Sequence, residues 1–124
     1  MKTKKVGLIL NKEKILFDLQ ICNYFGKIRG LMFRKKEKAT ALLFEFGKPT
    51  YLAIHSFFVF FPFYALWLDD KNKIIKIEKI KPFRFKIKPV NPFVKLIEVP
   101  INSRYSEIVR ILDEHYKDLN IQKC

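Results

Sequence analysis

The sequence predicts a mainly β fold: a compact sandwich or barrel-like single domain with a C-terminal amphipathic helix. Three observations carry that expectation. Short apolar runs rich in aromatic and β-branched residues are separated by prolines, Gly47 and clusters of turn formers. Residues 83–88 alternate apolar and cationic side chains with the period of a half-buried strand. Near the end of the chain the apolar period changes to three and four residues. The 124 residues suffice for one domain at ~100–200 residues per domain, spanning 1–124. An apolar fraction of 49% is too high for intrinsic disorder.

Taken in order, the elements begin after a basic N-terminus. Lys2, Lys4 and Lys5 precede only five uncharged residues, Val6 to Leu10, too short a run for the apolar core of a signal peptide. The expected location is cytoplasmic. Residues 41–46 form a short apolar run ended by Gly47. Residues 51–68 carry no formal charge over eighteen positions, at the short end of a membrane span. Pro62, the polar pair His55 and Ser56, and aromatic residues spread through the run argue instead for two strands buried on both faces. No transmembrane segment is expected.

Asp69, Asp70, Lys71 and Asn72 read as a hairpin turn leading to a strand within 74–81. Phe83, Phe85 and Ile87 alternate with Arg84, Lys86 and Lys88 between Pro82 and Pro89, with the phenylalanines expected to point inward. Residues 93–99 form a further strand ended by Pro100. Tyr105, Ile108, Ile111, Leu112, Tyr116 and Leu119 then mark an amphipathic helix over about 103–119, with Asn102, Ser103 or Ser106 as its cap.

Most catalytic chemistry has no motif to stand on. Gly7, Gly26, Gly30 and Gly47 are too far apart for a phosphate-cradling loop, and His55 and His115 offer no zinc spacing. No metal and no cofactor is expected, and no residue set names a reaction. Cys22 and Cys124 do not make the framework of a disulfide scaffold, and Cys22 reads as a small buried side chain. His55 is the titratable group inside the longest apolar run, where it serves either as a satisfied core histidine or as a ligand-orienting group. Asp69 and Asp70 fit a turn better than a metal site.

Charge is the strongest compositional signal. Twenty-five basic against twelve acidic residues give +13, of which residues 27–38 hold +5 and residues 71–88 hold +7. Lys27, Arg34, Lys35, Lys36, Arg84, Lys86 and Lys88 are thus candidate anion or nucleic-acid contacts. Lysines on an exposed strand equally serve to prevent edge pairing, and single-strand binders need exposed aromatic rings beside their cations.

Several segments resemble a known family. Arg29-Gly30-Leu31-Met32-Phe33-Arg34, Leu43-Phe44-Glu45-Phe46, Ile54-His55-Ser56-Phe57-Phe58-Val59, Pro62, Leu68-Asp69 and Ile97-Glu98-Val99-Pro100 follow the order and spacing of the domain-of-unknown-function 192 family. The resemblance covers about residues 15–101. Ser56 stands where that family usually has Met, Tyr64 where it usually has Asp, and the helix and tail replace a C-terminal Gly-Asp. The resemblance implies a compact β-rich domain and no assigned activity. It marks Arg29, His55 and Asp69 as the shared polar positions.

The resulting expectation is a non-catalytic binding module that takes a small anionic ligand or a peptide or protein partner near Arg29, His55 and Asp69. The alternative is a basic nucleic-acid binder using residues 27–38 and 71–88. Docking on an anionic membrane through the same lysines is a third.

Overall fold

The computed structural model describes residues 3–10, 13–22, 31–32, 34–54, 56, 58–84, 87 and 91–122. Six strands are seen among them: β1 (Thr3–Leu10), β2 (Glu13–Ile21), β3 (Leu42–Thr50), β4 (Phe63–Leu68), β5 (Ile74–Ile80) and β6 (Phe93–Pro100). A 3-10 turn at Ser103–Tyr105 leads into helix α1 (Ser106–Gln122). The strands form one curled sheet in the order β1-β2-β3-β6-β4-β5. All neighbours are antiparallel except β2 and β3, which meet in parallel at two residue pairs, Gln20 with Leu42 and Ile21 with Leu43. The curl brings the end of β1 to the start of β5, where Ile9 N donates to Asn72 O at 3.2 Å. The sheet is therefore a half-barrel, the barrel-like form of the mainly β single domain expected from the sequence, closed on one side by α1.

The uncharged run owes its composition to β4, the strand between β6 and β5. All six residues of β4 are fully buried, with Tyr64, Leu66 and Leu68 in one apolar cluster and Phe63, Ala65 and Trp67 in another. A strand sealed on both faces excludes charge because neither face has water to solvate it. On the first face the cluster gathers Leu8, Leu19, Leu43, Ile97 and Val99 under Val109 and Leu112 of α1. Leu42, Phe44, Leu96, Phe93 and Trp67 line the second, where no helix lies over them among the described residues. Leu31, Ala39, Val59, Phe61 and Ile87 cover it from irregular segments.

Polar contacts fix the helix on its face. Tyr64, fully buried, donates its hydroxyl to Asp113, and Tyr116 meets the Tyr64 ring edge-on at 6.0 Å. Lys79 adds an ion pair to Asp113 at 3.6 Å. Burial and the Asp113 carboxylate together push the Tyr64 phenol well above its ordinary range. Tyr105 accepts the Ala41 amide at 2.6 Å, which satisfies a backbone donor just before β3.

Three expectations are corrected. The first half of the uncharged run forms no strand among its described residues: 51–54, 56 and 58–61 run irregularly before β4, tied down by the two hydrogen bonds between Ile54 and Ile87 at 2.7 and 2.8 Å. The strand expected over 83–88 is reduced to that Ile87 bridge among the described residues, because Phe83 adopts φ +61, a left-handed conformation that ends an extended run. Phe83 is 50% exposed and does not point inward. An N-terminal hairpin that the basic start of the chain had concealed is present, with Val6, Leu8 and Leu10 alternating toward the helix face. Asp69 forms the expected turn, and no described helix is long and apolar enough to cross a membrane.

Candidate functional site

The chemistry-bearing groups concentrate on the second face, where loops cover the sheet. Glu98 sits on β6, directly between Leu42 of β3 and Ala65 of β4, both members of the second cluster. It is 5% exposed. Burial pushes its carboxyl up from 4.5 to about 8, and the positive charge of Arg34 opposes that rise only in part. At neutral pH the group is therefore mostly a carboxylic acid, an O–H donor within electrostatic reach of the Arg34 guanidinium.

Ser56 organises the irregular cover. Its fully buried hydroxyl donates to Lys81 O at 2.7 Å and accepts from Arg84 N at 2.6 Å. Its amide donates to Arg84 O, and its carbonyl accepts from both Phe83 N and Val59 N. One serine thus joins 56–59 to 81–84 where no strand ladder exists. A buried methionine at this position, as in the family pattern, has no hydroxyl to make these bonds.

The expected site residues divide as follows. Arg29, His55, Lys27, Lys86 and Lys88 lie outside the described residues. Leu31 and Ile54, close to Arg29 and His55 in the chain, pack on the second cluster with Glu98's neighbours. Arg34 is partly buried, and its charge reaches Glu98. Lys35 and Lys36 are exposed at the 3-10 turn Lys36–Lys38. Lys36 lines a cleft of about 550 Å³ at the start of α1 together with Glu37, Asn102, Arg110 and Asp113, a mixed-charge surface. There Glu37 accepts from the Ser103 hydroxyl and amide, which holds its carboxyl below the usual range.

Asp69 accepts the Lys71 and Lys73 amides at 2.9 Å each, so its carboxylate closes the β4–β5 hairpin. Cys22 is buried, as its reading required. The described residues contain no group of three acid, histidine or cysteine side chains placed to hold a metal ion. Arg84 is exposed and makes a 2.8 Å ion pair with Glu78.

Two features escaped sequence reasoning. Glu98 was legible as the one carboxylate in the apolar run 93–99, two residues from Leu96 and so on the same strand face. The exposed rings of Phe58, Phe60 and Phe83, which flank the Ser56 junction, left no such signal. Phenylalanine in an apolar run reads as core until the backbone is known.

The comparisons agree with the architecture. The model of the DUF192 family, described as Uncharacterized ACR, matches residues 10–106, a wider span than the motif resemblance covered. A crystal structure of a protein of unknown function from Novosphingobium aromaticivorans DSM 12444 superposes with a TM-score of 0.68 at 14% identity, covering 85% of this chain and 77% of that one. A putative transcription regulator from Sinorhizobium meliloti 1021 superposes with a TM-score of 0.65 at 21% identity, covering 80% and 81%. At these identities the likeness is one of fold. No curated protein matches the chain.

Proposed function

This chain belongs to the DUF192 family, and from that premise we propose that it is a non-catalytic binding module taking a small carboxylate or phosphate anion on the loop-covered face of the sheet. The observation that carries the reading is Glu98, a buried and mostly protonated carboxyl within the electrostatic reach of Arg34. Both groups can donate hydrogen bonds, and a guanidinium with a neutral carboxyl within its electrostatic reach suits an acceptor-rich anion. Arg34 supplies the fixed planar fork and the charge, and Glu98 supplies a neutral donor that does not repel the ligand. Arg29 and His55, which lie outside the described residues, are proposed to complete the set as the polar positions shared with the family pattern. Asp69 enters as the residue that fixes the β4–β5 turn.

Titrating isotopically labelled protein with citrate and with inorganic phosphate, followed by amide NMR shifts, tests the proposal. Saturable shifts centred on Arg34 and Glu98, lost in Arg34→Gln and weakened as pH rises past about 8, are expected. Unsaturable shifts scattered over the surface lysines would overturn it.

A further inference from the structure

We propose that Phe58, Phe60 and Phe83, with Lys81 and Arg84 beside them, form a stacking platform for single-stranded nucleic acid, separate from the Arg34 and Glu98 site. The rings are 47%, 60% and 50% exposed, although each belongs to a residue type that normally fills a core. The alternation is sharp: Val59 and Phe61 are 2% exposed and pack in the second cluster, which turns Phe58 and Phe60 outward on either side of Val59. Phe60 and Phe83 meet edge to face, with centroids 5.5 Å apart and planes at 75°.

The backbone is strained to hold this arrangement. Phe58 and Phe83 sit at φ +57 and +61, the left-handed region, which a residue with a side chain rarely adopts. The Ser56 junction keeps the rings in place, because its carbonyl accepts the Phe83 amide at 2.9 Å and its hydroxyl accepts the Arg84 amide at 2.6 Å. Bulky residues held in such conformations cluster at sites where geometry serves a ligand.

Charge selects the class of partner. Residues 71–84 carry six basic side chains and one acidic; that acid, Glu78, is shared by Lys76 and Arg84, and Lys79 pairs with Asp113. Lys81 lies exposed between β5 and Phe83. Aromatic faces beside cations are what unpaired bases and their phosphates require, and they satisfy the condition that the sequence alone left unmet. Duplex bases are already stacked and gain nothing from the rings. A lipid surface accepts aromatic side chains in many orientations, so the strain that fixes these rings favours a ligand with flat faces of its own.

Fluorescence anisotropy of labelled oligothymidylate, of an RNA of equal length and of the matching DNA duplex, over a series of potassium chloride concentrations, tests the proposal. Single strands should bind more tightly than the duplex. Phe60→Ala and Phe83→Ala should each weaken single-strand binding about fivefold or more with the salt slope unchanged. Lys81→Gln should flatten the slope by about 0.7. Phe60→Leu, which keeps apolar bulk while removing the ring, should reproduce the Phe60→Ala loss with unaltered circular dichroism. Equal affinity for duplex with no effect of the phenylalanines would overturn the proposal, as would phenylalanine-dependent flotation on anionic vesicles without oligonucleotide binding. The phenylalanine variants should still bind citrate as the unmodified protein does, so failure here is distinct from failure of the anion site.

Discussion

Glu98 is the residue whose environment is most at odds with its chemistry. A carboxyl raised to about 8 in the folded protein, against an ordinary 4.5, holds its proton more tightly folded than unfolded. Its stabilising contribution is thus fully present below pH 4.5 and is lost as pH rises toward about 8, at up to ~1.4 kcal/mol per pH unit. Glu98→Gln keeps the shape and removes the titration. The variant should match the parent in acid, exceed its urea midpoint at neutral pH, and show a flatter pH profile between the two values. Parallel profiles would show that burial does not perturb the group. The sequence marked this position only as one carboxylate in an apolar strand, and it gave no hint of Arg34, which is sixty-four positions earlier in the chain. Ser56 makes the same point: its partners at Lys81, Phe83 and Arg84 are adjacent to it only in space.

At the scale of elements, helix α1, strands β4 and β6 and the Asp69 turn were legible because each has a local cause: a period, a sealed face or a side chain that bonds its own turn. The N-terminal hairpin was obscured because lysines at its start mask an alternation of only three apolar residues, Val6, Leu8 and Leu10. Strand β3 outruns its apolar stretch and continues to Thr50, with its pairing to β6 shifting register between Glu45 and Thr50. Gly47 sits in that shift at φ +74, with nothing within 4 Å of where a Cβ would lie. Gly47→Ala should therefore destabilise through backbone conformation alone, by about 1–2 kcal/mol, seen as a lower urea midpoint with an unchanged slope. A neutral effect would mean that the irregular segment of β3 relaxes to accept a side chain.

For the molecule as a whole, the two apolar clusters are the two sides of one sheet, so loss of either cover exposes one side of β4 and weakens the strand that both clusters depend on. The single tryptophan, Trp67, is fully buried on the second face with Phe93 edge-on at 6.5 Å, while α1 covers the first. Urea unfolding followed by Trp67 emission and by circular dichroism should therefore give coincident transitions, with emission shifting to the red. Separate midpoints would show that the loop-covered face melts before the helix-covered one. By itself the sequence determined the mainly β class, the doubly buried strand and the closing helix, because periodicity and the exclusion of charge act between residues near in the chain. Only the tertiary structure decided which loops cover the second face, that Glu98 lies beneath them and that three phenylalanines turn outward. Those outcomes depend on contacts between distant segments and on two left-handed backbone angles, and neither leaves a local trace in residue order.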